Sequence, residues 1–332
     1  MNNMELTVRE IDEKEYDMWN SLAKESVHGT IFHTTEWLMQ CSKFLKGNVH
    51  LYACFSGDEM VGGCAIINRG SKAVSNFDVD PYGGLFFKTT ERKDVKSREE
   101  FERKIVDAFC LAFRKNGLKS VSLTNSPSLE DVRPFIWNGW GAEVFYTYYL
   151  DLSGFSEEAL SKDARWYVKK ATENKVSAEK SDDMDSFYTL LEMTFERHKK
   201  KVPIPKDFLT SMVKMLVEKN LGEMWLAKTA DGEAVAGEIV VLDEKRAYRW
   251  MAASHGDLRK TGAATLLLCK VLENLSGKVK EIDLMGANAP YLSNFVSQFN
   301  GNIIPYYKVE TYLPMLKIWS RFYKIVRRFY RG

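Results

Sequence analysis

Residues 51–67, LYACFSGDEMVGGCAII, align without a gap with residues 225–241, WLAKTADGEAVAGEIVV. Both segments contain a strand, a turn rich in Gly, Asp and Glu, and a second strand of small and then β-branched residues, which is typical of a β-hairpin. Farther along, GLKSVSL at 117–123 resembles GKVKEIDL at 277–284, and each follows a helical stretch. The repeated order of hairpin, helix and strand predicts two α/β domains with a substrate cleft between them.

Composition limits the class of protein. A chain of 332 residues is long enough for two domains, each with its own core. The net charge of +2 argues against a general nucleic-acid binder. The N-terminus is acidic and polar, unlike a signal peptide, and no apolar run approaches the roughly 20 residues of a membrane span. The five cysteines are scattered and form no CxxC pair, so we expect reduced thiols in a cytoplasmic protein.

Several segments together resemble one known group of enzymes. They are GTIFHTTEWL at 29–38, ARWYVKKATENKV at 164–176, RHKKKVPIP at 197–205, IDLMGA at 282–287 and FVSQFNGN at 295–302. The pattern, spread over about residues 30 to 310, is similar to the Fem-type (FemABX) aminoacyltransferases and to the double-domain acetyltransferase-like proteins of the GNAT superfamily. Fem-type enzymes add amino acids to the peptide of cell-wall precursors.

The resemblance implies an α/β (α+β) fold of tandem duplicated GNAT-like domains, each a mixed twisted sheet flanked by helices. We expect the first domain over residues 1–150 and the second over 151–312. Residues 313–332 are predicted to form a basic, aromatic C-terminal helix.

The segment LRKTGAATLL resembles the loop with which GNAT enzymes hold the pyrophosphate of coenzyme A. Arg259, Gly262 and Ala264 occupy the positions of that motif and are the predicted cofactor-binding residues. Small residues let backbone N–H groups approach phosphate, and the N-terminus of the following helix favours an anion. The resemblance therefore favours acyl-CoA as donor. The alternative is a helix start at which Gly262 simply ends a loop.

The helix SEEALSKDARWYVKKATENK carries cations and aromatic residues together. Arg165 and Lys169 are four residues apart and share one helix face. The resemblance implies that this helix lines the cleft, where both would meet the phosphates of a nucleotide, lipid-linked or RNA substrate. The alternative is a solvated cationic face. Trp37, in the opening motif, is the third predicted substrate contact. Where cell-wall Fem enzymes place a basic residue one turn later, this chain has Cys41, which weakens the case for a nucleotide-linked peptidoglycan acceptor.

Three residues are candidates for catalysis, because an amine must lose a proton as it attacks a carbonyl. Glu238 lies on a strand expected to line the cleft, although an exposed strand residue is the alternative reading. Asp283 lies on the next parallel strand, where anchoring of the strand end is the alternative role, and Tyr306 could protonate a leaving group. His33 and His255 have no ligand at metal spacing, so we expect no metal.

The C-terminal tail combines positive charge with apolar bulk. Residues 317–331 contain six Lys or Arg and no acidic residue, interleaved with aromatic and aliphatic side chains. This composition is typical of a segment on an anionic membrane surface, whereas the alternative is a helix packed on the protein with its cations directed outward. We therefore expect a cytoplasmic protein that can lie peripherally at the inner membrane face.

The functional hypothesis is an N-acyltransferase. It would move an acyl or aminoacyl group from acyl-CoA, or from charged transfer RNA, to an amine of a cell-envelope sugar or of a peptidoglycan-type precursor, which could be lipid-linked. The absence of the long two-helix arm of larger Fem enzymes weakens the case for transfer RNA without excluding it. A non-catalytic GNAT-like binding module at the membrane surface is the alternative class.

Overall fold

The computed structural model describes residues 5–70, 72–89, 94–197, 199–256 and 261–311. The chain divides into two compact units. The first unit comprises Met1–Phe145 and Tyr306–Gly332, and the second unit comprises Tyr146–Pro305. None of the described helices is long and apolar enough to cross a membrane.

The first unit alternates strands and helices. Its strands are β1 Leu6–Glu10, β2 Asn48–Ser56, β3 Glu59–Arg69, β4 Lys72–Val74, β5 Phe86–Phe87 and β6 Val121–Thr124. Its helices are α1 Tyr16–Glu25, α2 Thr35–Phe44, α3 Val95–Lys115 and α4 Arg133–Trp137. Strand β7, Trp140–Asp151, leads from this unit into the second.

The sheet of the first unit is mixed. Strands β1, β2, β3 and β4 pair antiparallel in that order, β5 adds to β3, and β4 pairs parallel with β6. Helix α3 crosses over between the parallel strands and buries Phe101, Ile105, Phe109 and Phe113 against the sheet. These four residues recur every four positions, so the amphipathic pattern in the sequence predicts this face correctly.

The second unit repeats the same order of elements. Its helices are α5 Lys162–Glu173, α6 Met184–Glu196, α7 Lys206–Glu218, α8 Ala263–Leu275 and α9 Pro290–Val296. Its strands are β8 Ser177–Lys180, β9 Gly222–Lys228, β10 Ala234–Leu242, β11 Ala247–Ser254, β12 Glu281–Asp283 and β13 Asn302–Thr311, the last of which returns to the first unit.

The pairing in the second unit matches that in the first. Strands β8, β9, β10 and β11 pair antiparallel in that order, and β11 pairs parallel with β12. Helix α8 crosses over between the parallel strands, as α3 does in the first unit. The predicted α/β fold of tandem domains, each with a mixed sheet flanked by helices, is confirmed.

The two aligned hairpins share a detail that the sequence alignment alone does not reveal. Val61 in β3 and Val235 in β10 are each the extra residue of a β-bulge, and these two valines are aligned. Beyond the bulge, Phe55 pairs with Met60 in the first hairpin, and Lys228 pairs with Ala234 in the second. Residues 56–59 lie between the first two, whereas residues 229–233 lie between the second two. The second turn is therefore one residue longer, and the gapless alignment puts the first strand of each hairpin one residue out of register.

The chain passes between the units inside two strands. The units part after Phe145, within β7, and again after Pro305, within β13. The end of β7 pairs with β12, and the end of β13 pairs with β6. Our predicted boundaries at 150 and 312 follow chain order and assign all of β13 to the second domain. The structure instead assigns Tyr306–Thr311 to the first unit, because these residues complete its sheet. The predicted C-terminal helix at 313–332 lies outside the described residues.

Candidate functional site

Strands β11 and β12 of the second unit separate after a short pairing. Ala247 pairs with Ile282 and Tyr248 with Asp283, and there β12 ends. Strand β11 continues to Ser254, paired with β10 on one side only among the described strands. Its backbone from Met251 to Ala253 therefore presents peptide groups that a bound molecule can pair with.

A β-bulge lies at the start of this free edge. Ile239 pairs with Met251 and Val240 pairs with Arg249, so Trp250 is the extra residue in β11. A bulge takes one residue out of the regular ladder and changes the direction of its peptide groups. The half-buried Trp250 ring lies edge-on to Phe208 of α7, with 6.4 Å between ring centroids. The bulge is therefore held in place by packing on the unit's own helices.

Glu238 is not the exposed strand residue considered from the sequence, nor a free base. It is 1% exposed, and Arg249 on the neighbouring strand binds both of its carboxylate oxygens, with Nε donating over 2.9 Å. Burial raises the pKa of Glu238, and the Arg249 charge and hydrogen bonds oppose that rise. Because both carboxylate oxygens accept from a buried guanidinium, Glu238 links β10 to β11 and does not take a proton from a substrate.

Asp283 anchors the end of β12. One carboxylate oxygen accepts hydrogen bonds from the Thr147 hydroxyl and from the Met285 backbone N–H, the latter over 3.0 Å. Met285 has a left-handed backbone with φ of 57°, and the bond from its N–H fixes that turn. Asp283 is fully buried and holds the strand end where β11 and β12 diverge. It is a positioning residue in this structure.

The start of α8 is closed by α5. Gly262 has φ of +86°, and a Cβ at this position would lie 2.2 Å from the Tyr167 carbonyl oxygen. Ala263 and Thr265 are buried, and the Ala263 N–H is directed to the Thr261 hydroxyl at 3.3 Å. Packing against α5 therefore explains this glycine without a phosphate. Ala264 is half-buried in the same turn, and Arg259 lies outside the described residues.

The outer face of α5 keeps the predicted basic and aromatic side chains at the surface. Arg165 is exposed and donates to the Glu158 carbonyl oxygen over 3.2 Å. The Lys169 side chain is 76% exposed, with its Nζ 3.9 Å from Glu173. Trp166 is 55% exposed and carries the Lys170 ammonium 4.8 Å from its ring centroid. We call Arg165, Trp166, Lys169 and Lys170 the α5 face.

Comparison with known proteins gives a family for the second unit. Residues 159–292 match the family described as the acetyltransferase (GNAT) domain. These residues are similar in sequence to a GNAT-type acetyltransferase domain, and we call them the GNAT domain. The match supports the predicted acyltransferase class.

Three solved structures share the fold over most of the chain. FemX is 11% identical with a TM-score of 0.68, and the match covers 94% of this chain and 99% of FemX. The C-terminal domain of a protein named as a lysylphosphatidylglycerol synthetase from Agrobacterium fabrum is 12% identical with a TM-score of 0.58, covering 90% and 92%. A tandem GNAT protein from the clavulanic acid biosynthesis pathway is 12% identical with a TM-score of 0.54, covering 92% and 98%. The predicted resemblance to FemABX-like and tandem GNAT proteins is confirmed as a likeness of fold. A search of curated proteins finds no matching sequence.

The packing of Gly262 in the GNAT domain gives a first prediction. Gly262→Ala is expected to lower the free energy of unfolding by more than about 1 kcal/mol, because it adds both left-handed strain and a clash with Tyr167. Gly232→Ala is the matched control, since Gly232 has φ of +85° and open space where its Cβ would lie. Urea unfolding of both variants measures the difference, and equal losses would contradict the packing role.

Two of the predicted site residues lie in the first unit, not in the GNAT domain. Trp37 is fully buried, and its indole N–H donates to Asp80 over 2.7 Å, so it is a core residue without surface for a substrate. Tyr306 is half-buried and stacks on Phe145, with its ring edge-on to Tyr82 at 5.2 Å between centroids. Tyr306 belongs to the first unit because the end of β13 pairs with β6 there, and the structure does not bring it into the unit of Glu238.

Asp80 is a buried acid that sequence reasoning missed. It accepts hydrogen bonds from the Trp37 indole and from the Phe77 backbone N–H, and Cys41 Sγ lies 4.0 Å away. Burial raises the pKa of Asp80 to about 7, although these hydrogen bonds and the nearby Arg69 charge oppose the rise. Its loop, between β4 and β5, is thereby tied to α2.

The second prediction concerns this carboxyl. Below pH of about 7 folded Asp80 holds a proton that the unfolded chain releases above pH of about 4, so folding takes up a proton in this window. The contribution to stability is present at low pH and is lost as the pH rises towards 7, by at most about 1.4 kcal/mol per pH unit. Denaturation at pH 5, 6 and 7 should show this slope in the parent protein and in Asp78→Asn, and a reduced slope in Asp80→Asn. Equal slopes in all three would contradict the assignment.

One group of side chains in the GNAT domain has the spacing of a metal site. Candidate ligand atoms of Glu157, Cys269 and Glu273 lie within 4.8 Å of one another. Burial raises the pKa of Cys269 to about 12, so its thiol is protonated at neutral pH, and Lys270 Nζ lies 2.7 Å from Glu273. A protonated thiol beside a neutralised carboxylate is a poor ligand set.

A cavity of about 1060 Å³ opens at the opposite end of the sheet from the divergence of β11 and β12. It lies beside α7, the start of β9 and the end of β10. Its Glu223 is bound by Lys180 at 2.7 Å, by the Trp225 indole N–H at 3.0 Å and by Asn274 at 2.8 Å. Because its central acid is fully engaged and the free strand edge is elsewhere, we do not place the chemistry in this cavity.

Proposed function

We propose that this chain is an aminoacyltransferase whose GNAT domain accepts an aminoacyl ester of transfer RNA and passes the aminoacyl group to an amine of a cell-envelope precursor. The observation that carries the proposal is the packing of α5 on the start of α8. That packing brings the Tyr167 carbonyl oxygen against Gly262, which argues against a pyrophosphate at this point, and it leaves Arg165, Trp166 and Lys169 of the α5 face exposed. The resemblance to Fem-type enzymes supports the same donor class, as does the shared fold with a protein named for an aminoacylated lipid.

The α5 face has the chemistry of a site for nucleic-acid phosphate and base. Arg165 and Lys169 lie one helical turn apart and supply charge, and a guanidinium binds phosphate oxygens in a bidentate manner. Trp166 between them offers an exposed aromatic plane on which an unpaired base can stack. Charge and stacking together suit the single-stranded 3′ end of an aminoacylated RNA.

The reacting groups would meet at the free edge of β11. The acceptor amine attacks the ester carbonyl carbon, a C–N bond forms, and the C–O bond to the ribose breaks. A backbone N–H of β11 beyond its pairing with β12 would bind the oxygen that becomes negative in the tetrahedral intermediate. Glu238 and Asp283 are both engaged in buried hydrogen bonds, so we expect the amine proton to reach the leaving oxygen directly or through water.

Acyl-CoA remains the second candidate donor. The small residues Gly262, Ala263 and Ala264 at the start of α8 favour it, since they resemble the phosphate loop of GNAT enzymes. The Tyr167 carbonyl oxygen at that point is the observation against it. The envelope precursor as acceptor rests on the family resemblance alone.

Equilibrium binding separates the two donors. The purified protein is titrated with acetyl-CoA in a calorimeter, and with total transfer RNA charged with labelled amino acids in a filter assay. We expect charged RNA to bind with a dissociation constant of about 1 µM or tighter, and acetyl-CoA to show no heat at about 1 mM. The reverse result would overturn the donor assignment, and binding of neither would favour a non-catalytic module.

A further inference from the structure

The free edge of β11 is closed at its far end by α6. The Thr194 hydroxyl, in the last turn of α6, accepts a hydrogen bond from the Ser254 backbone N–H over 3.0 Å. Arg197, the next residue after that helix, donates from Nη1 to the Ser254 carbonyl oxygen over 2.6 Å. Both backbone groups of Ser254 are therefore occupied, so a bound molecule that pairs with β11 must do so before this residue.

The direction of the remaining peptide groups follows from the alternation of an antiparallel ladder. The N–H and C=O of one residue point to the same side of a strand, and those of the next residue point to the other side. His255 donates its N–H to the Val235 carbonyl oxygen over 2.9 Å, so its groups face β10. Ser254 consequently faces away from β10, as its contacts with α6 show, Ala253 faces β10, and Ala252 faces away.

Ala252 therefore turns both its N–H and its C=O to the free edge, between the end of β12 and the contact with α6. The edge before it is covered where Tyr248 pairs with Asp283. Within the described part of the chain, no hydrogen bond from another element reaches either backbone group of Ala252. At Ala252 the free edge thus offers one donor and one acceptor on a single residue.

These two groups match the chemistry of an α-aminoacyl group. In an antiparallel pair, two residues exchange both hydrogen bonds, N–H to C=O in each direction. An α-aminoacyl group has the same two groups, an amine N–H and a carbonyl oxygen, on either side of one tetrahedral carbon. An acetyl group has the carbonyl oxygen alone, so it would leave the Ala252 C=O without a donor in the complex, and this costs affinity.

We propose that the Ala252 C=O selects α-aminoacyl groups by accepting a hydrogen bond from the α-amino group of the donor. The Ala252 N–H at the same time binds the carbonyl oxygen that becomes negative during transfer. This inference rests on the proposed aminoacyl transfer and adds its specificity, because the group that fits has a free α-amino group. Since α6 occupies Ser254, the pairing ends after this one residue.

Three acyl groups on two carriers test the selection in the unaltered protein. Glycyl, β-alanyl and acetyl groups are attached through a stable amide to an RNA oligonucleotide ending in CCA, and through a non-hydrolysable linkage to coenzyme A. Glycyl and acetyl differ by the amino group alone, and β-alanyl carries the same charge one carbon farther from the carbonyl. Calorimetry should give glycyl a dissociation constant at least about tenfold lower than the other two on the carrier that binds.

Ala252→Pro separates the two contacts. Proline lacks the N–H but keeps the C=O, and the N–H that it removes is not part of the pairing with β10. Affinity for the glycyl and acetyl ligands should therefore fall by the same factor, about tenfold, with the preference for glycyl retained. Ala252→Gly keeps both groups and is the control, with affinities within about threefold of the parent.

The outcomes distinguish this selection from the proposed donor. Equal affinity for the three acyl groups on a carrier that binds would overturn the selection and leave the donor assignment intact. A glycyl preference on coenzyme A alone would support the selection and overturn transfer RNA as donor. Unchanged affinity in Ala252→Pro would place the acyl group away from this edge and overturn the selection, and binding of none of the ligands would overturn both.

Discussion

Replacement of Arg249 by alanine is expected to lower the free energy of unfolding by about 3–5 kcal/mol. The guanidinium is buried with its charge against Glu238, and both carboxylate oxygens accept from it. Removing one member leaves the other charge without compensation in a site that excludes water, and this uncompensated charge dominates the loss. Glu238 and Arg249 face each other on the strands that carry the bulge, so the edge of β11 should lose its shape as well.

The pair is tested by denaturant unfolding of three variants. Glu238→Leu with Arg249→Met replaces the pair by apolar side chains of similar size and should recover most of the stability lost in Arg249→Ala. Glu238→Gln keeps the shape of the side chain, and its free energy of unfolding should lie between those of Arg249→Ala and of the Leu–Met double variant. A loss below about 1 kcal/mol in Arg249→Ala would contradict the description of Glu238 as a buried partner and would reopen its role as a base.

Reversal of charge on the α5 face is expected to lower kcat/KM for charged transfer RNA about 100-fold in Arg165→Glu with Lys169→Glu. Hydrogen bonds to charged groups contribute about 1.5–3 kcal/mol each, so two lost phosphate contacts remove roughly 3 kcal/mol or more. The side chains lie at the surface, so folding should be unchanged.

The second unit offers a close control for this variant. Lys214 in α7 has a side chain 74% exposed and lies 3.8 Å from Glu218 four residues on, as Lys169 lies 3.9 Å from Glu173. Lys214→Glu changes the charge of the unit as Lys169→Glu does and should leave kcat/KM within twofold. Equal effects of these two single substitutions would mean that net charge, and not the α5 face, attracts the donor.

The sequence predicts the fold well because repetition is a property of the chain itself. The hairpins at 51–67 and 225–241 and the four-residue spacing of Phe101, Ile105, Phe109 and Phe113 are visible without coordinates. The exchange of the last strands is not visible in the sequence, because β7 and β13 each pair outside the half that precedes them in the chain. Assignment of residue 306 to the first unit depends on that long-range pairing.

The site is less predictable, because partners across strands have no fixed spacing in sequence. Glu238 stands alone in the apolar run of β10, and a lone acid in a buried strand is a signal that a cation must lie nearby. That cation is Arg249 on β11. In the same way Trp37 has no visible link to Asp80, and Gly262 has none to Tyr167, although these contacts decide the role of each.

The most direct test of the central claim is turnover with both donors in parallel. Purified protein is incubated with the lipid and soluble extracts of bacterial envelopes, and with either labelled acetyl-CoA or total transfer RNA carrying labelled amino acids. We predict that label moves from RNA into an alkali-stable amide product, at a rate that falls about 100-fold in Arg165→Glu with Lys169→Glu and is unchanged in Lys214→Glu. Label that moves only from acetyl-CoA, at the same rate in all variants, would contradict the account.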